Sequence, residues 1–271
     1  MLLFHIIILA VVQGITEFLP VSSSGHLTLI HGLVDGENVV AQYETNHMFD
    51  IAVHVGTLLA VLMYFWKDVV RMMVGLVCFH KADKRTDGIM ALQVGVASIP
   101  VIIVGYLLHL WSPDFLSAVQ VVAWTSIIYA IFLWLADKKP VTQKTIETLS
   151  WCDALLIGAS QALALIPGTS RSGVTMTTAR FLGYSRTEAA RFSMFLGMVA
   201  LTGAGLLGAV DVDWNNTQLG MDIGVAVVLS FFSAIIAIAL MMRWLAKASF
   251  TPFVVYRLIF GIVLLAMIYM R

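Results

Sequence analysis

The chain has 271 residues, 60% of them apolar and only 12% charged, with 16 basic against 16 acidic residues and a mean hydropathy of +0.92. A soluble domain carries about 25% charged residues, so this composition excludes an ordinary soluble enzyme and a disordered chain. The zero balance also argues against a nucleic-acid binder, which needs a basic excess. An integral membrane protein remains. Cys78 and Cys152 supply neither a disulfide framework nor a zinc spacing and read as buried or loop thiols. Residues 1–10 lack a basic leader and a small-residue cleavage pattern, so they do not read as a removed signal peptide.

In chain order, the first apolar stretch, residues 2–19, is too short and too broken for a simple span. Pro20 interrupts it, and Val21-Ser22-Ser23-Ser24-Gly25-His26 follows. Segments long enough to cross a bilayer, which takes about 20 apolar residues, then run over 50–66, 89–110 and 117–135. A second broken stretch, 154–166, ends at Pro167 and Gly168-Thr169-Ser170-Arg171-Ser172-Gly173, and three further spans follow at 192–210, 223–242 and 252–270. Irregular backbone at membrane depth is tolerated only where protein or a wet cavity covers it, so both breaks are expected to be re-entrant hairpins.

The two breaks share a pattern. Gln13 to Gly25 and Gln161 to Gly173 are each separated by twelve positions, each contains a proline, and each ends in Ser-x-Ser-Gly. The offset is 148 residues, about half the chain, which points to an internal duplication with halves at 1–136 and 150–271. Each half has three full crossings, so the second half must enter from the opposite face. The expected fold is an all-α polytopic membrane protein, with six transmembrane helices and two re-entrant hairpins arranged as inverted repeats.

Charge fixes an orientation. With the loop after Trp66 inside, thirteen of the 16 basic residues face inward: Lys67, Arg71, Lys81, Lys84, Arg85, Lys138, Lys139, Lys144, Arg180, Arg186, Arg191, Arg243 and Lys247. Outer loops are expected to carry Asp35, Glu37, Glu44, Asp114, Asp211, Asp213 and Asp222, and both termini face outward. Trp66, Trp111, Trp134, Trp151 and Trp244 stand at span ends as an interfacial belt. His5, His31, His47, His80 and His109 read as loop or interfacial residues, and Arg257 as a side chain that snorkels or pairs with a carboxylate.

Ionisable groups within the membrane are costly and therefore functional candidates. Glu17 has Gln13 on the same helical face; Asp50 and His54 are also four apart; Arg171 lies in the second break. Serine hydroxyls and backbone N–H groups at a helix start form an anion cradle, and an arginine fork grips phosphate oxygens. A carboxylate beside an amide can supply oxygen ligands to a hard cation, and histidine can act as acid or base. Together they suit a phosphorylated ligand and phosphoryl transfer. Taken singly, Ser22–Ser24 could merely cap a helix, Glu17 could be a structural carboxylate and Arg171 an interface charge. A lipid transporter is the chief rival, because broken helices in inverted repeats are usual in carriers; a channel or a scaffold fits less well.

The segment from Gln13 to His26, Gln-Gly-Ile-Thr-Glu-Phe-Leu-Pro-Val-Ser-Ser-Ser-Gly-His, resembles the first signature of the bacterial undecaprenyl-diphosphate phosphatases of the bacitracin-resistance type. Pro167 to Gly173 resembles their second signature, and the likeness runs along the whole chain to Phe250-Thr251-Pro252-Phe253-Val254-Val255-Tyr256-Arg257. The resemblance implies hydrolysis of a C55 polyprenyl diphosphate to the monophosphate carrier of cell-wall synthesis, in the bacterial inner membrane. It also implies a divalent cation, Mg2+ or Ca2+, membrane lipids as surroundings, no nucleic-acid partner, and room for a homo-oligomer. Carried over, it makes Ser23 the nucleophile, with Ser22, Ser24 and Gly25 about the phosphate. Glu17 holds the metal or activates the nucleophile, with Gln13 and Asp50 as further metal ligands, and His26 is base or leaving-group acid. Arg171, flanked by Thr169, Ser170, Ser172 and Gly173, clamps the diphosphate. Gln13 stands where relatives carry Glu or Gln and Asp50 where they often carry Glu. Attack by His26 or by water stays open.

Overall fold

The computed structural model describes residues 3–34, 39–111, 119–209 and 217–270. Eleven helices cover them: α1 Leu3–Thr16, α2 Ser23–Val34, α3 Val39–Tyr64, α4 Trp66–Val77, α5 Arg85–Trp111, α6 Val119–Asp137, α7 Trp151–Gln161, α8 Arg171–Phe181, α9 Arg186–Ala209, α10 Thr217–Leu245 and α11 Thr251–Tyr269. No strand occurs among the described residues. Five helices, α5, α6, α9, α10 and α11, are long and apolar enough to cross a bilayer. The sixth expected span is the stretch Met48–Tyr64 of α3, followed by α4 after a bend of 79°. Large apolar side chains point outward along these helices, among them Ile102, Phe132, Phe232, Ile236 and Ile259. A bilayer is the medium that makes such a surface favourable.

The two short helix pairs fall where the breaks predict. The chain unwinds earlier than the prolines require: α1 ends at Thr16, and Glu17 to Val21 form the turn before Ser23 opens α2. After α7, a short tight turn of helix over Ala162–Leu165 leads to Pro167 and to α8 at Arg171. Serine caps set two of these starts. Ser150 Oγ accepts from Asp153 N at 3.0 Å ahead of α7, and Ser170 Oγ accepts from Gly173 N at 3.1 Å ahead of α8.

Each pair packs on a helix from the other half of the chain. α1 lies against α10, and a Cβ on Gly14 would stand 2.6 Å from Ser233 Cβ and 2.7 Å from Ser230 O. α7 lies against α5, and a Cβ on Gly158 would stand 2.7 Å from Ala97 Cα. In both places only glycine permits the approach. α3 packs on α9, α6 on α11, and α6 also on α8.

The basic connections gather at one end and are tied by ion pairs. Arg191 reaches Asp68 of α4 at 3.1 Å, Glu147 at 3.3 Å and Glu188 at 3.2 Å. Asp137 pairs with Arg186 Nε at 2.5 Å and accepts from the Phe250 amide at 3.0 Å, which joins the ends of α6, α9 and α11. Asp153 accepts from Lys144 at 2.9 Å and from Tyr184 at 2.8 Å; burial, then this bond, pushes the Tyr184 hydroxyl well above its usual range.

Several expectations need correction. Arg180, counted among the inward-facing basic residues, is buried at that end and donates to the carbonyls of Tyr184, Asp137 and Lys139. Asp222 lies within α10 and Glu44 within α3, not in outer loops. Asp35, Glu37, Asp114, Asp211 and Asp213 lie outside the described residues, as do the side chains of Glu44, His47 and His109. His5 is buried in α1, its ring edge-on to that of His31 at 5.8 Å. Cys152 is exposed on α7 while Cys78 is half-buried at the end of α4. All five belt tryptophans are exposed.

Candidate active site

The two turns meet, and their side chains interlock. Glu17, 8% exposed, takes Arg171 Nη2 on Oε1 at 2.7 Å. Its Oε2 accepts from Ser23 Oγ at 2.8 Å and from Gln13 Nε2 at 2.7 Å, and His54 Nε2 lies 3.7 Å away. The nucleophile candidate, the carboxylate and the cation are therefore in one cluster, although 154 positions separate Glu17 from Arg171. An arginine this close satisfies a buried carboxylate that would otherwise be strongly disfavoured. The guanidinium also donates to Ser193 O at 3.4 Å and sits 5.8 Å from the centroid of the Phe18 ring.

Both turns use the same backbone device. Ser22 and Ser170 are the two non-glycine residues of positive φ among those described, at 73° and 72°, and they are 148 positions apart. Such a conformation costs a non-glycine residue on the order of 1–3 kcal/mol and persists only where its surroundings hold it. In each turn that serine's hydroxyl lies against the second one on: Ser22 and Ser24 at 3.3 Å, Ser170 and Ser172 at 3.1 Å. Ser172 Oγ then donates to Leu19 O at 2.8 Å, a direct tie between the turns.

Arg257 is the larger tie. The expectation of snorkelling or a carboxylate partner is wrong: Arg257 is 0% exposed, and its partners are carbonyls. It donates to Pro20 O at 3.3 Å in the first turn and to Gly168 O at 2.9 Å and Thr169 O at 3.0 Å in the second. Ser126 O at 3.2 Å and Thr125 O at 3.5 Å on α6 complete the set. Broken helices leave carbonyls without intrahelical donors, and a planar fork with five N–H groups serves several at once. A Cβ on Gly173 would stand 2.9 Å from Arg257 Nη1, and one on Gly25 would stand 3.0 Å from Val122, so both glycines let the turns close.

Other candidates stand apart from the cluster. His26 Nδ1 lies 2.7 Å from Ser22 O, while Nε2 is hydrogen-bonded to Tyr256 Oη, with the ring stacked on Phe260 at 4.5 Å. Both ring nitrogens are thus engaged away from Ser23. Asp50 pairs with His31 Nε2 at 3.1 Å and not with Glu17. His54, noted only as four residues after Asp50, is the histidine beside Glu17; its helical register with Asp50 was the available signal. Ser193 and Thr175, hydrogen-bonded to each other at 2.7 Å behind Arg171, carried no sequence signal.

For a divalent cation, Gln13 Oε1 is buried and has no hydrogen-bond partner among the described residues, next to a Glu17 carboxylate. That donor pair fits a hard cation whose remaining ligands come from phosphate oxygens and water. Among the described residues no cluster of three or more His, Cys, Asp or Glu exists to hold one alone. Close by, Ile15 and Leu19 line one side of an apolar cavity of about 620 Å³, completed by α10 (Ile236, Ala237, Leu240) and the start of α11 (Pro252, Phe253).

Comparison with known proteins settles the family. The model of the bacitracin resistance protein BacA family matches residues 6–263. The chain belongs to this family. It is 43% identical to an undecaprenyl-diphosphatase of Ruegeria pomeroyi over 99% of this chain and 100% of the relative. It is 42% identical to one of Alteromonas mediterranea over 98% of each. A third, of Saccharophagus degradans, is 40% identical over 98% of each. Family membership and the apolar helices make the chain a multi-pass membrane protein.

Proposed function

We propose that the chain is an undecaprenyl-diphosphate phosphatase that releases the terminal phosphate of the lipid and returns the monophosphate carrier. The observation that carries this reading is the Ser23–Glu17–Arg171 chain of hydrogen bonds, at 2.8 Å and 2.7 Å, built from two turns that meet. A carrier needs phosphate-binding groups but not a hydroxyl aimed at a carboxylate.

Ser23 Oγ attacks the terminal phosphorus, and Glu17 Oε2 accepts its proton. Arg171 passes from Glu17 to the phosphate oxygens as the diphosphate arrives, and there it neutralises the charge that gathers on the transferring group. Glu17 Oε2, which already accepts the Ser23 hydrogen bond, takes the hydroxyl proton. The P–O bond to the lipid monophosphate breaks as the proton on Glu17 passes to the departing phosphate oxygen; water then attacks the phosphate left on Ser23, with Glu17 again the base, and that proton returns to Ser23 Oγ as inorganic phosphate leaves. Ser22, Ser24 and Gly25 shape one side of the phosphate site, and Thr169, Ser170, Ser172 and Gly173 the other. His26 faces Tyr256 and serves the leaving group or the loop, not Ser23. A bound Mg2+ or Ca2+ would be held by Gln13 Oε1 and Glu17 and would offset the charge of the diphosphate. The isoprenoid chain leaves along the apolar cavity beside Leu19.

The inverted repeat and its halves, 1–136 and 150–271, belong to the same proposal. They are supported by the paired positive-φ serines and by each short helix pair packing on the opposite half. The basic end faces the cytoplasm and the termini the outside of the bacterial inner membrane, in keeping with the positive-inside rule. Association with a second copy is compatible with the exposed apolar faces and is left to a mass measurement in detergent.

The test is phosphate release from a long-chain polyprenyl diphosphate by the purified protein in detergent, where no gradient exists for a carrier to use. Ser23→Ala, Glu17→Ala and Arg171→Ala are each expected to lose about 10³-fold in kcat. Turnover near wild type in Arg171→Ala refutes the clamp, and retained turnover in Ser23→Ala transfers attack to water or His26.

A further inference from the structure

Helix α9 passes directly behind the Arg171 side chain, and the residue it presents there is Gly197. The three heavy atoms nearest to where a Cβ would stand at this position are Nη1, Cζ and Nη2 of Arg171, with Cζ at 2.7 Å and Nη2 at 3.0 Å. A methyl group there has nowhere to go while the guanidinium keeps its place. One turn earlier Ser193 O accepts from Nη1, and Thr175 Oγ1 donates to Ser193 Oγ, so α9 both supports the cation and bounds it. Glu17 and the Phe18 ring close the opposite side.

The other close-packed glycines differ in kind. A Cβ on Gly14 or Gly158 would meet atoms of α10 or α5, which marks helix packing. Gly203, six positions on in the same helix, has nothing within 4 Å of its Cβ position. Among the described glycines, only at Gly197 are all three nearest atoms the business end of a functional side chain.

We propose that Gly197 is a positioning residue for the reaction: its missing side chain is the slot that holds the Arg171 guanidinium against Glu17, within reach of a phosphate at Ser23. The proposal rests on the reading of Arg171 as the phosphate clamp. Misplacing such a group by about 1 Å can cost about 100-fold in rate.

The experiment is a double-mutant cycle between Gly197→Ala and Arg171→Ala, with Gly203→Ala as the control for adding a methyl to α9. Phosphate release from a long-chain polyprenyl diphosphate is expected to fall about 100-fold in Gly197→Ala and to stay within about twofold of wild type in Gly203→Ala. In the Arg171→Ala background, Gly197→Ala is expected to cost less than about twofold, because nothing remains to displace. The same cycle read as melting temperature in detergent is independent of turnover: Gly197→Ala lowers it in the parent chain and leaves it unchanged when Arg171 is absent. If the single variant does not fold, the double variant does. An equal loss in both backgrounds, or Gly197→Ala within about threefold of wild type in rate and unchanged in melting temperature, overturns the proposal. Should the wild type release no phosphate, the functional reading falls, and the melting-temperature cycle still decides Gly197.

Discussion

The two turns share a backbone and divide the chemistry. Positions 22 and 170 hold serines in the same strained conformation, and positions 24 and 172 hold serines that hydrogen-bond back to them. Between each pair sits the residue that differs: Ser23 in the first turn, Arg171 in the second. Where the first turn has Glu17, the second has Leu165, and where Gln13 binds Glu17, the matching Gln161 is fully buried, with no partner for either amide atom among the described residues. The two cradles are alike in backbone, and on the proposed duplication one site results because only one carboxylate and one arginine stand in them. A carboxylate in both turns would leave like charges facing each other, and an arginine in both would do the same.

This asymmetry can be tested from its scaffold outward. The largest effect is expected at Arg257, which holds three carbonyls from the two turns. Arg257→Met strands those buried acceptors, and a loss of about 3 kcal/mol or more in unfolding stability is expected in detergent, with turnover lost in both the folded and the partly folded protein. A stable, active Arg257→Met protein would mean that the turns hold themselves. The next effect separates the matched glutamines. Gln13→Ala removes a donor from Glu17, and a fall of about tenfold in phosphate release is expected, whereas Gln161→Ala should change it by less than about twofold. Equal losses would show that the two glutamines serve the site alike. The smallest effect lies at the basic end, where Tyr184→Phe removes one hydrogen bond from Asp153 but leaves Lys144 in place. A drop of about 1 kcal/mol in stability with unaltered turnover is expected, which would confine the chemistry to the turns.

Composition and two Pro-Gly-Ser breaks were enough to read a membrane protein with paired broken helices. Ser23 was singled out of its serine triplet only by the family resemblance, whereas Glu17 and Arg171 were legible because charge at membrane depth is rare and must have a purpose. The point of unwinding at Thr16 was not, since Pro20 marks only where a helix cannot continue. The partner of His26 was hidden because it lies 230 positions away on α11. Arg257 misled for a physical reason: arginine in a span suggests a carboxylate or a headgroup, and a set of bare carbonyls is visible only once both turns are placed. His54 and Gly197 carry little signal alone. Their meaning comes from what they face.

The close approach of Gly14 to Ser233 also has a consequence for biosynthesis. The helix that carries Glu17 toward the site is made first, yet the surface it rests on is made roughly 220 residues later, at rates of about 5–20 residues per second. For on the order of ten seconds or more, the nascent chain must keep a polar turn, a carboxylate and three serines without their final neighbours, and Arg171 and Arg257, the cations that will reach that turn, are both made later. The order of synthesis therefore makes the first turn dependent on whatever shelters it at the insertion machinery, and substitutions in α10 should disturb insertion of α1 before they disturb anything in the finished protein.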